Sequence, residues 1–172
     1  MSTRIPAWVE GELTPVDKLE VHKRGLRHLA ISVFIMDGQH TLLQRRALGK
    51  YHTPGLWANA CCTHPHWGED TEATALRRLE EELGITGITV TPRDTVEYRA
   101  DVGGGLIEHE VVSLFTAEGR PALTPNPDEV MDMQWITLEE LNRQIADDPS
   151  RFTPWLRIYM AEHAEQIFGA PA

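Results

Sequence analysis

The run LAISVFIM, residues 29–36, is apolar and rich in β-branched side chains, and Asp37-Gly38 closes it just before TLLQRR begins at Thr41. An Asp-Gly step between two such runs marks a β-hairpin, because both residues tolerate the positive φ angles of a tight connection. An all-helical chain is thereby excluded. Further along, EDTEATALRRLEEELG (69–84) repeats Ala73, Leu76, Leu79 and Leu83 at helical spacing, with acids in the first turn and Gly84 as the stop. Acids favour the positive end of the helix dipole, so a helix is expected here. Between hairpin and helix, Ala47 to about Gly68 reads as a loop rich in Gly, Pro, His and Trp. ITGITVTP (85–92) and DTVEYRADV (94–102) read as strands, Gly103 to Gly105 as a turn, and LIEHEVVSLFTA (106–117) as the returning strand. After the loop TPNPDEV (124–130), MDMQWIT (131–137) is a strand and LEELNRQIADD (138–148) a helix, and one amphipathic helix is expected from near Pro154. Hairpins interleaved with helices imply the α/β (α+β) class, a mixed β-sheet with helices packed against it.

No internal repeat, low-complexity tract or linker interrupts the chain, so residues 1–172 are expected to form a single domain, with 1–15 loosely ordered. A domain of this size buries about 70% of its unfolded surface and needs no staples. No apolar run approaches the ~20 residues of a membrane helix, and MSTRIPAWVEGELTP has no signal-peptide pattern, so the cytoplasm is the expected address. The formal net charge of −10 argues against nucleic acid and anionic membranes, which require a basic surface. An anionic ligand would have to be met by local cations or a divalent metal. The chain has two cysteines, Cys61 and Cys62, and adjacent residues bridge only through a strained ring, so no disulfide framework is expected.

Taken singly, each of the eight histidines is more often a satisfied polar residue than a ligand. Strand alternation places Glu108 and Glu110 on one face with His109 on the other, and two stacked carboxylates favour a bound cation or a shared proton; a solvent-facing edge is an equal alternative. On the helix, Arg77 and Glu81, and Arg78 and Glu82, are four apart and share faces, which by itself describes salt-paired surface. A free cytosolic cysteine usually packs as a small hydrophobe, whereas a reactive one needs cationic or metal neighbours, and His64 lies two residues beyond Cys62.

Thr63 to Ile85 resembles a degenerate Nudix box, G-x5-E-x7-R-E-U-x-E-E-x-G-U with U aliphatic, matching at Glu69, Arg77, Leu79, Glu81, Glu82, Gly84 and Ile85. Thr63 stands where the box has Gly and Arg78 where it has Glu. Nudix hydrolases use the helix carboxylates to hold divalent ions, and an Arg in that row exchanges a metal ligand for a phosphate-binding cation. Cleavage is thus less expected than diphosphate binding.

A longer resemblance, Lys18 to about Trp155, is to the Nudix-fold isopentenyl diphosphate isomerases, through DKLEVH, LRHLAISVF, RRALGKYHTPGLWANACCTHP, YRADVGGGLIEHEV, DEVMDMQWI and FTPW. It implies isomerisation of isopentenyl to dimethylallyl diphosphate in isoprenoid biosynthesis, with Cys62, not Cys61, as catalytic thiol, Glu110 as its counterpart and Tyr98 beside that carboxylate. It further implies one manganese or zinc on His22, His28, His64, Glu108 and Glu110, and a magnesium held by Glu82 and the backbone carbonyl of Cys62. Lys18, Arg46, Lys50 and Arg78 would surround the diphosphate, with Trp155 near the hydrocarbon. The segment between His22 and His28 is a residue shorter than in some relatives. The partner is expected to be a small diphosphate, and the chain a monomer or weak homodimer. Residue types leave open which of Cys62 and Glu110 donates the proton. A Nudix hydrolase of another diphosphate, or an inactive ligand-sensing module, is the competing reading.

Overall fold

The computed structural model describes residues 3–169. The chain opens with a hairpin of β1 (Arg4–Val9) and β2 (Glu12–Asp17), paired from Arg4 opposite Asp17 to Val9 opposite Glu12. Glu10 and Gly11 turn it with φ of 52° and 80°. Loose order through residue 15 was expected, and the difference has a physical reason. Ile5 and Ala7 are fully buried against Val21, while Pro6 and Pro15, which disguise the strands in the sequence, face each other across the pair. The Asp17 side chain then caps α1 (Lys18–Arg24) by accepting from Glu20 N.

The expected hairpin forms from β3 (Arg27–Asp37) and β4 (His40–Arg46), but the strands pair only at Met36–Thr41 and Asp37–His40 before parting. β3 continues parallel to β8 (Leu106–Glu118) and antiparallel to β6 (Cys61–Thr63), while β4 pairs with β5 (Trp57–Asn59) and β9 (Val130–Thr137). β5 and β6 are three-residue strands inside the segment expected to be loop. The sheet is mixed and covered on both sides. Ile31, Val33 and Ile35 pack towards α2 (Thr71–Leu83), and Ala30, Phe34 and Met36 join a second core with α3 (Leu138–Asp147), α4 (Pro154–Glu162) and α5 (Ala164–Phe168). Burial on both faces is why LAISVFIM is apolar without alternation.

Three local expectations need correction. The core-facing stripe of α2 is Ala75, Leu79 and Leu83, whereas Ala73 is exposed and Leu76 is 40% exposed. Both stripes satisfy helical spacing, and the one through Ala75 packs on Ile31, Val33 and Ile35 of the sheet, with Thr74 and Glu82 also buried. ITGITV is not a strand; Ile85 and Val90 plug the α2 core from irregular chain, and β7 (Thr91–Gly103) begins only afterwards. The C-terminal helix is two, α4 and α5, broken where His163 leaves helical geometry at φ −130°.

Candidate functional site

Strand register assembles the site around β3. Glu110 on β8 lies opposite His28 on β3 and opposite Tyr98 on β7, while Cys62 on β6 lies opposite Ser32 on β3. As alternation predicted, Glu108 and Glu110 are both buried on one face, and His109 points away to Glu97 at 3.1 Å. α1 contributes His22, and His64 follows β6. Nε2 of His22 lies 2.7 Å from Glu108 Oε1; those of His28 and His64 lie 3.2 and 3.7 Å from Oε2. Ligand atoms of His22, His28, His64 and Glu108 are all within 4.8 Å of one another. Glu110 joins from the side, with Oε2 2.9 Å from His64 Nε2 and 3.4 Å from His28 Nε2, and its Oε1 accepts the Tyr98 hydroxyl. Burial opposes ionisation of Glu108, yet hydrogen bonds from His22, His28, His52 and His64 hold its carboxyl well below the usual range.

These groups fit a divalent ion. His22 and His28 each donate Nδ1–H to a backbone carbonyl, Lys18 at 2.7 Å and Leu26 at 2.8 Å, which fixes the tautomer and leaves Nε2 for the centre. His64 Nδ1 is buried with no hydrogen-bond partner among the described residues. A carboxylate and three imidazoles buried together form a donor set suited to a divalent metal.

Beside this cluster, a narrow cleft is lined by the cations Lys18, Arg46, Lys50 and Arg78 together with Cys62, Glu110 and Trp155. Burial, together with Lys50 and Arg78, lowers the Lys18 ammonium to about 8. Arg78 bonds Glu82 and Glu81, each at 2.7 Å, and Lys50 pairs with Glu129. The Nε atoms of Arg46 and Arg78 are buried without partners among the described residues, so both guanidiniums keep a donor for an anion. Glu82 is 4% exposed, and its second oxygen accepts from Gln44 Nε2 at 3.1 Å. The Arg46 guanidinium lies over the Trp155 ring, 5.3 Å from its centroid.

The adjacent cysteines face opposite ways. Cys61 is fully buried in the α2 core, whereas Cys62 faces the cleft, where Sγ donates to Asn59 Oδ1 at 2.9 Å and accepts from Ser32 Oγ at 3.4 Å. Burial pushes the Cys62 thiol up to about 12 against the Ser32 hydrogen bond, so the resting group is S–H, not thiolate. The side chains that the family resemblance implied for the site lie in or beside this cleft, whereas Cys61 and His109 point away from it. Residue-by-residue reading missed His52, 2.9 Å from Glu108; Asn59 and Ser32, which hold Cys62; and Tyr159, whose hydroxyl meets Ser32 at 2.8 Å. Nothing in the residue types separated His52 from the other histidines, although its position two residues after Lys50 was a signal.

Fold and helix define the class: the NUDIX domain family model matches residues 26–156. Solved structures agree on the fold. The DR0079 protein of Deinococcus radiodurans superposes at TM-score 0.75 and 15% identity over 92% of this chain and 97% of its own. A MutT NUDIX hydrolase from Burkholderia pseudomallei reaches 0.60 at 25% identity over 80% and 98%. Sequence relatives narrow the class. The isopentenyl-diphosphate Delta-isomerase of Cereibacter sphaeroides (strain KD131 / KCTC 12085) is 63% identical over 98% of this chain and 97% of its own length. That of Dinoroseobacter shibae is 62% identical over 100% and 99%. The chain belongs to the NUDIX-fold isopentenyl-diphosphate Delta-isomerase family.

Proposed function

We propose that this protein interconverts isopentenyl and dimethylallyl diphosphate for isoprenoid biosynthesis, acting as one cytoplasmic domain, monomeric or weakly dimeric. The observation that carries the reading is the convergence of Cys62 and Glu110, the latter hydrogen-bonded by Tyr98, on one cleft that four cations also line. The reaction adds a proton at C4 and removes one from C2, so it needs one protonated and one ionised group. Cys62 S–H and the Glu110 carboxylate, which His28 and His64 keep ionised against burial and the nearby Glu108, supply that combination. The Tyr98 hydroxyl donates a hydrogen bond to Glu110 Oε1. Lys18, Arg46, Lys50 and Arg78 bind the diphosphate, which reconciles an anionic ligand with a net charge of −10.

Protonating an unactivated alkene gives a tertiary carbocation that water would capture, so the buried Trp155 and Tyr98 matter as walls that exclude it. The Trp155 face also contributes up to ~2 kcal/mol to a desolvated cation. His22, His28, His64, Glu108 and Glu110 would hold manganese or zinc, and Glu82 with the Cys62 carbonyl would hold magnesium; when bound, these ions supply charge that sets Glu110 protonation and neutralises the diphosphate.

The hydrolase alternative requires an acid where Arg78 stands, and Arg78 instead pairs with the remaining box carboxylates Glu81 and Glu82. Phosphorus NMR of a magnesium-containing reaction with isopentenyl diphosphate separates the two. The isomerase reading expects both phosphorus signals to persist as a diphosphate while the olefin changes. Release of inorganic phosphate or a monophosphate, with no dimethylallyl product, would replace it with hydrolysis.

A further inference from the structure

We propose that His52 is a positioning residue of the metal centre, holding the Glu108 carboxylate by a hydrogen bond while His22, His28 and His64 bind the ion. This deepens the metal-site reading above and rests on it. Glu108 is 2% exposed, and its Oε1 is shared by His22 Nε2 at 2.7 Å and His52 Nε2 at 2.9 Å. The rings are not equivalent. His22 and His28 give Nδ1–H to carbonyls, which only accept, so their Nε2 lone pairs are free for a cation. His52 instead sets Nδ1 3.0 Å from the Thr53 hydroxyl, a group able to donate. Accepting there puts the ring proton on Nε2, facing a carboxylate that only accepts. The tautomer that makes His52 a donor to Glu108 therefore bars Nε2 from ligating. Once the other three Nε2 atoms are engaged by an ion, they no longer donate to Glu108, and His52 is the imidazole that still does.

The chain around His52 is built to hold it. Thr53 keeps φ at +47°, a left-handed conformation that strains a β-branched residue and persists only where its surroundings fix it. Arg46 supplies that fixation. Its Nη2 donates to the His52 carbonyl at 3.2 Å, its backbone N to Leu56 O at 2.9 Å, and its carbonyl accepts from Gly55 N at 3.0 Å. One clamped loop thus carries both Lys50 and His52 into the cleft.

The test is cobalt(II) affinity of the full chain, by competition with a chromophoric chelator, for the parent, His52→Ala and His52→Gln. Glutamine restores an N–H donor near the original Nε2. The parent is expected to take one cobalt per chain, His52→Ala to bind it 10–100-fold more weakly, and His52→Gln to recover most of the loss. At saturation all three should show cobalt absorption bands at the same positions, because the ligand set is unchanged. Equal affinity for parent and His52→Ala would overturn the proposal, as would shifted bands in both variants with no rescue by Gln, which would make His52 a ligand. A parent that binds no cobalt would remove the metal-site reading, and the inference with it. Should His52→Ala fail to fold by circular dichroism, Thr53→Val, which removes the hydroxyl that sets the tautomer, carries the test: several-fold weaker binding is expected, and unchanged binding overturns the proposal.

Discussion

Cys61 and Cys62 have the same side chain and opposite surroundings, because successive residues of β6 point to opposite faces. One packs under α2 and the other enters the cleft. Cys62→Ala is expected to lower kcat by 10²–10⁴, the range for a positioned proton-transfer group, while Cys61→Ala keeps most of the turnover and lowers the unfolding free energy by ~1–2 kcal/mol; steady-state rates and denaturant melts separate the two effects. The sequence showed two cysteines and a nearby histidine, and residue chemistry alone could not choose between them. The resemblance to a known family made the choice, and strand alternation supplies its physical reason. Glu69 makes a separate case. Arg77, first of all, with Thr74 and the backbone of His66, holds its carboxyl down to about 2, from an ordinary 4.5. A depressed folded-state value contributes stability that is complete above pH 4.5 and is lost as pH falls towards 2. Urea midpoints for Glu69→Gln should therefore lie below the parent's at neutral pH, with the gap closing across that interval.

At the scale of elements, α2 was legible in its limits but not in its facing. Asp70 caps it and Gly84 ends it at φ +68°, close to the bounds read from acids and glycine. Two apolar stripes fitted the same period, and the sheet selected the one through Ala75, so periodicity could not decide. The strand expected at ITGITV failed because β-branched residues were serving the α2 core from irregular chain. The N-terminal hairpin was hidden by two prolines, and the break at His163 left no helix-breaking residue to betray it. Gly84 is fixed twice over: a Cβ there would lie 2.8 Å from Thr124 Cβ and 2.9 Å from its carbonyl oxygen. Gly84→Ala is expected to cost ~1–2 kcal/mol from the left-handed conformation alone, with the clash adding to it, and to appear as a lower denaturant midpoint.

Across the whole molecule, helices on both faces of a mixed sheet bury β3 from Ala30 to Met36, and that strand aligns Ser32 with Cys62 and His28 with Glu110. The fold class was readable because hairpins and one capped helix constrain it strongly. The metal cluster was not readable from residue types, since its ligands come from α1, β3, the segment after β6 and β8, which are separated in sequence and joined only by sheet register. An acidic chain with four cations lining one cleft is organised for a small anionic substrate. Cys62 and Glu110 are proposed to exchange protons with carbon in that cleft. Proton and deuterium NMR of isopentenyl diphosphate turned over in deuterated water with magnesium tests it most directly. The account predicts dimethylallyl diphosphate carrying deuterium in the methyl group formed from C4, and no label after Cys62→Ala. Absence of both the product and any carbon-bound deuterium from the parent protein would contradict it.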